Sequence, residues 1–404
     1  MSIDLPGPTL GSQRLDLLDA LRGFALSGVL MANLVAFSSY FFLSSEASAA
    51  LPTAAMDRLL DPAIGILVSG KFISLFSLLF GVGFALQMQR NAARDEGLRR
   101  YLRRLGVLLA IGLLHAALWW GDILRYYAVL GLLLLPLARL RPRTLAALGM
   151  LLVVLPHPSL SAWFSGNGPP PATQDQAYAA ALAAFSSHDL ATMLRGNWLF
   201  NSWWVPVHWG LVPSISGCML VGAALGNSGV LRDPARHALF WKRLLLAFPV
   251  GLALAFFVKL GDYGRLPMQA AWLDNDAGRM LLRELNQATA LVLALGYAAV
   301  FVWLFARPAW RRWMQHLAPV GRMALSNYLT QTLVGIALFY GVGLKLGPSY
   351  GLVGVVVVWA LLFGAQIVFS RWWLARFRFG PAEWAWRSLT YGQWQPMRSQ
   401  PRPA

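Results

Sequence analysis

The sequence predicts an all-α fold, a polytopic membrane helix bundle of about ten transmembrane helices with both termini cytoplasmic. Three observations lead there. Hydrophobic residues make up 57% of the 404 and charged residues 13%, roughly half the charge of a soluble domain. The mean hydropathy is +0.53. The apolar residues also fall into blocks close to the ~20 residues that cross a bilayer as a helix.

Taken in order, residues 1–21 are polar and mixed in charge. No small-residue cleavage site follows the first apolar run, so that run is expected to remain as a helix. Apolar blocks between charge clusters place spans near 22–41, 64–88, 102–120, 123–139 and 143–157, the last one short. An external loop follows at 158–206, with a Gly/Pro stretch (166–171), an Ala-rich helical piece (174–185) and a second short helix that Ser187 is expected to cap. Its aromatic cluster (Trp198, Phe200, Trp203, Trp204, Trp209) suits a membrane interface. Further spans lie near 207–227, 242–260, 287–305, 318–340 and 351–372, a second external loop covers 261–286, and 373–404 is a basic tail.

The net charge of +17 rests on 30 Arg and 4 Lys, and its placement speaks against nucleic acid. The arginines sit in short clusters between apolar blocks: Arg90 to Arg104, then Arg139, Arg141 and Arg143, then Arg232 to Arg243, then Arg307, Arg311 and Arg312, then the tail. Alternate loops are poor in cations; 42–63 carries Arg58 against Glu46, Asp57 and Asp61. The positive-inside rule then puts both termini in the cytoplasm. One cysteine, Cys218, excludes an intrachain disulfide and cysteine-built metal clusters.

Polar residues inside apolar blocks cost free energy unless paired or hydrated, so they carry the functional signal. They are Asn33, Lys71, His115, Asp122, Arg125, His208, Asn327, Thr330 and Gln331. Under this topology they map to the middle and outer half of the membrane. Seven of them have a structural reading beside the functional one. His115 is open to being a histidine satisfied by a carbonyl, and Lys71 to snorkelling toward the interface. Asp122 and Arg125 are open to being a salt bridge at a tight turn, Asn327 and Gln331 to being interhelical glue, and His208 reads as interfacial. No phosphate loop, G-x-S-x-G elbow, H-E-x-x-H or other metal spacing is present.

Several strings resemble a known family. Leu18-Asp19-Ala20-Leu21-Arg22-Gly23-Phe24-Ala25, Lys71-Phe72 with Ser74 to Gly81, His115 to Gly131, Gly321-Arg322-Met323-Ala324-Leu325-Ser326-Asn327-Tyr328 and Phe379 to Gly392 are similar to motifs of the YeiB-like family, bacterial membrane proteins with domain of unknown function four-one-eight. The resemblance implies a multi-pass protein of the bacterial cytoplasmic membrane. It also implies a distant similarity to membrane acyltransferases of the heparan glucosaminide N-acetyltransferase type, through the Asp-x-x-Arg-Gly opening and the span-one Asn33. Where that enzyme has its histidine after span one, this chain carries Ser44, Ser45 and Glu46. Where related sugar O-acyltransferases have a histidine within span one, it carries Asn33. His115 is the available substitute.

The leading expectation is therefore acyl transfer from a cytoplasmic thioester donor, acyl-CoA such as acetyl-CoA, to an external acceptor. Arg22 and the Arg90–Arg104 cluster would meet the donor's phosphates. Expected catalytic residues are His115 as general base, Asp122 as its orienter or as a group that binds the acceptor, and Asn33 or Asn327 as oxyanion donor; Arg22, Lys71, Asn327, Gln331 and Glu383 are expected at the substrate. Expected partners are membrane lipids, a small-molecule or glycan acceptor and a second copy of the chain, with no metal and no nucleic acid. The alternative is a transporter or lipid-handling protein with a polar cavity in the outer half of the bilayer and no chemistry; a pair of broken helices and inverted repeats would favour it, and the sequence shows neither.

Overall fold

The computed structural model describes residues 11–91, 97–155, 173–231, 233–262 and 276–398. The regular elements named among them are helices: α1 (Gly11–Phe37), α2 (Ser45–Ala49), α3 (Ala54–Leu67), α4 (Lys71–Asn91), α5 (Gly97–Leu118), α6 (Leu124–Leu137), α7 (Pro142–Val154), α8 (Gln174–Phe185), α9 (Leu190–Val207), α10 (Leu211–Ser228), α11 (Ala238–Leu245), α12 (Ala247–Asp262), α13 (Asp276–Phe305), α14 (Pro308–Met314), α15 (Ala318–Arg322), α16 (Ala324–Phe339), α17 (Gly351–Leu374) and α18 (Pro381–Tyr391). Among the described residues seven stretches are long and apolar enough to cross a membrane, and the shorter apolar helices α6, α7 and α16 lie at expected spans four, five and nine. The protein is an all-α polytopic bundle. The stretch 166–171, His157, Arg94, Arg232 and Arg402 lie outside the described residues.

Three elements differ from the sequence reading. The apolar run 64–88 is divided at Gly70, whose φ of 79° turns the chain so that a separate helix starts at Lys71; hydropathy cannot register a backbone torsion. Span nine is broken at Met323 (φ −108°, ψ 30°) into α15 and α16. The second external helix is capped by Asp189, which accepts from Thr192 N at 2.8 Å, while Ser187 accepts from Asp189 N at 3.1 Å. A carboxylate answers the helix dipole as well as the free N–H, and here it takes the cap.

Packing between membrane helices favours small residues, because lipid tails compete with apolar side chains but not with close backbone contact. Accordingly α4 and α10 meet backbone to backbone. A Cβ added to Gly81 would lie 1.9 Å from Met219 O, and one on Gly222 would lie 2.0 Å from Leu78 O. At the far end, opposite the arginine clusters, α9 lays Phe200 and Trp204 against Trp120, with ring centroids 4.8 and 4.9 Å apart.

The α5–α6 turn positions the site. Helix α6 has 14 residues, about 21 Å of rise, shorter than the ~30 Å hydrocarbon core. Non-helical backbone at that depth must be satisfied by protein groups. Asn197 of α9 donates to Ala116 O and Ala117 O at 3.0 and 3.1 Å, and Asp122 satisfies the start of α6.

Candidate active site

Two residues seven apart, on either side of a Trp-Trp-Gly turn, are brought together. His115 and Asp122 are both buried, at 3% and 2% exposure, and His115 Nδ1 lies 2.8 Å from Asp122 Oδ1. Asp122 also accepts from Leu124 N at 3.1 Å and Arg125 N at 3.0 Å, the first N–H groups of α6. With backbone donors on both oxygens the carboxylate acts as acceptor, so the Nδ1 proton belongs to the imidazole. In the neutral ring Nε2 then carries the lone pair, and it meets Thr332 Oγ1 of α16 at 2.8 Å. Arg125 stands 3.9 Å from Asp122 and donates more closely, at 2.7 Å, to Asn201 of α9.

Beside this group runs a cavity of about 360 Å³. Its mouth, at the arginine-rich end, is lined by Arg22, Gln87, Arg104, Arg322, Glu383 and Arg387; its shaft by Leu26, Val29, Phe76, Phe80, Phe84, Leu105 and Leu108; its inner end by Asn33, Gly121, Tyr127 and Tyr328. Tyr328 joins cavity to histidine, its ring centroid 5.0 Å from that of His115. The mouth is assembled by a glycine crossing. A Cβ on Gly23 would lie 2.2 Å from Leu317 O, and one on Gly321 1.8 Å from Asp19 O. Only bare backbone brings α1 and α15 this close, and Arg22 and Arg322 follow these glycines to one rim. Arg22 pairs with Asp19 at 2.8 Å.

The tail helix α18 lines the mouth with Glu383, Trp386 and Arg387. Arg104 packs over the Trp386 ring at 4.6 Å, and Trp386 Nε1 donates to Arg104 O at 2.9 Å. Glu383 crosses to the break in span nine and accepts from Leu325 N at 2.6 Å, Ser326 N at 3.1 Å and Ser326 Oγ. It thus caps α16 from another element, as Asp57 caps α17 through Leu352 N and Val353 N at 2.9 and 3.3 Å. Burial pushes the Glu383 carboxyl above its ordinary range, against the bonds from Ser326 that favour the charged form. A carboxyl raised in the fold stabilises it below the unfolded value, and that contribution is lost as pH rises through the folded value. Thermal unfolding of wild type and Glu383→Gln across pH 4 to 8 (roughly, from the carboxylate range upward) should show the wild-type advantage shrinking as pH rises. An advantage that is flat in pH would contradict this.

The remaining sequence candidates stand apart from the cavity. Lys71, 2% exposed, donates to Gly65 O at 2.8 Å. Asn327 donates to Ser370 Oγ at 3.0 Å, and Gln331 donates to Gln366 Oε1 at 2.9 Å, tying α16 to α17; these two are interhelical glue. Sequence reading missed Thr332, Arg322, Arg387, Trp386 and Gln87. Thr332 lies one turn past Tyr328 and could have been found through that shared face. Among the described residues no group of three or more His, Cys, Asp or Glu is placed to hold a metal ion.

Residues 225–393 match the family described as "Protein of unknown function (DUF418)". The chain is 33% identical over 421 residues to "Uncharacterized protein YxaH" of Bacillus subtilis (strain 168), covering 96% of this chain and 97% of that one. It is 31% identical over 399 residues to "Uncharacterized protein YeiB" of Escherichia coli (strain K12), covering 92% and 95%. No solved structure matches. With full-length similarity at this level, the chain belongs to the YeiB-like DUF418 family of multi-pass membrane proteins.

Proposed function

We propose that this protein is a membrane acyltransferase that takes an acyl group from a thioester donor at the arginine-rich end and delivers it to an acceptor at the far end. The observation that carries the reading is the cavity, with a cationic mouth, an apolar shaft and an inner end beside His115–Asp122. An acyl-CoA is amphipathic in the same sense, with phosphates for Arg22, Arg104, Arg322 and Arg387 and an acyl arm for the shaft. His115 acts as base, oriented by Asp122, and Asn33 lines the inner end as an oxyanion donor. The clustering of arginine at one end supports a cytoplasmic position for that end and for both termini, in a bacterial inner membrane. The acceptor, a sugar amine or hydroxyl, reaches the site beneath the α8–α9 cover.

Calorimetry of purified protein with acetyl-CoA in detergent tests the donor site. Wild type and His115→Ala should both bind, Arg322→Gln more weakly, and binding should weaken with added salt because the contacts are ionic. Absence of binding at every acyl chain length would remove the CoA-dependent reading. The break in span nine beside the cavity supports a second reading, an amphipathic-solute carrier built on a discontinuous helix. Flux of an acyl anion in proteoliposomes without thiol release would favour it.

A further inference from the structure

Thr332, His115 and Asp122 form a hydroxyl–imidazole–carboxylate line, with successive contacts of 2.8 Å and 2.8 Å. With Nδ1 protonated toward Asp122 and the ring neutral, Thr332 Oγ1 donates to Nε2 and its proton points at a base. This is the arrangement that activates a hydroxyl for attack. A donor without a partner stands beside it. Trp119 is 1% exposed, its indole Nε1 has no hydrogen-bond partner among the described residues, and its ring lies 5.9 Å from that of His115. An indole N–H can only donate, and a buried one left unspent asks for an acceptor that arrives later. Tyr328, one turn before Thr332 on α16, lines the cavity and packs on His115.

We propose that Thr332 is the nucleophile and carries the acyl group as an ester between donor and acceptor; this rests on reading the cavity as the site of a thioester donor. The Tyr328 ring swings aside to admit the thioester carbon. Thr332 Oγ attacks that carbon and its proton passes to His115 Nε2. The C–S bond breaks and the sulfur leaves with that proton as a free thiol. The acceptor's hydroxyl or amine then attacks the ester carbon and gives its proton to Nε2. The C–Oγ bond breaks and Oγ takes the proton back. In both halves the Trp119 N–H donates to the oxyanion as it forms. The order is ping-pong, and the burial of Thr332 at 1% exposure shields the ester from water.

The test is mass spectrometry of the purified protein incubated with acetyl-CoA and no acceptor, with binding measured on the same samples. The expected result is one acetyl group on the peptide that holds Thr332 in wild type and in Thr332→Ser. Thr332→Val, close in shape, should bind acetyl-CoA as wild type does and remain unlabelled, and Trp119→Phe should acquire label about 100-fold more slowly. Full thiol release by Thr332→Val, or an acetyl group on another residue, would overturn the relay and leave the donor site standing. Failure of wild type to bind acetyl-CoA would overturn both.

Discussion

Asp122→Ala is expected to destabilise the protein by about 3–5 kcal/mol, the range for removing one partner of a buried charged group. The loss orphans the imidazole Nδ1–H and the N–H groups of Leu124 and Arg125 in a turn sunk within the bundle. Asp122→Asn separates chemistry from folding. Its amide oxygen still accepts from Arg125 N, while its NH2, standing in the place of Oδ1, faces both Nδ1 and the Leu124 N–H and drives the imidazole proton to Nε2. Thr332 then becomes the acceptor of the His115 bond and its hydroxyl is no longer activated. Stability should fall by about 1–3 kcal/mol, the cost of leaving the buried Leu124 N–H without an acceptor, while turnover falls by up to about 10⁴-fold, the scale seen when a triad imidazole is held in the wrong tautomer. Thermal unfolding in detergent and thiol release measure the two effects. Equal losses from Ala and Asn in both would contradict the assignment.

The second large effect is expected at Gly321. A Cβ there would lie 1.8 Å from Asp19 O and 2.8 Å from Gly23 N. Both neighbours are backbone, so no side chain can yield. Gly321→Val should cost at least the ~1–3 kcal/mol typical of overpacking, and it should part Arg22 from Arg322 at the cavity mouth. Gly106→Ala is the control, since a Cβ there meets nothing within 4 Å. Folded yield by size-exclusion chromatography should drop for Gly321→Val alone. If the two variants behave alike, the α1–α15 crossing is not what holds the mouth together.

What could be read beforehand followed physical cost. Apolar runs are legible because bilayer length constrains them, and each expected span has a helix. His115 and Asp122 stood out because ionisable groups are expensive in a membrane. Thr332 did not, because a helical threonine is cheap; Thr330, for instance, returns its hydroxyl to Ser326 O at 2.8 Å. Asn327 and Gln331 were conspicuous by the same cost argument, yet residue type does not say whether an amide faces a ligand or Ser370 and Gln366. The break at Met323 was silent, because nothing about a methionine announces it. The carboxylate that caps the new helix, Glu383, comes from the far end of the chain. The mouth was legible only in part for the same reason: Arg22 lies in the first span, while Arg387 is returned to it by the tail helix.

The most direct test of the central claim is release of free thiol from acetyl-CoA by purified protein in detergent, with glucosamine as acceptor and wild type beside His115→Ala. The account predicts acceptor-dependent release by wild type and a fall of about 10²–10⁴-fold in His115→Ala, with acetyl-CoA binding retained by both. Thiol release at the same rate from both proteins, or binding of acetyl-CoA with no release from either, would contradict it.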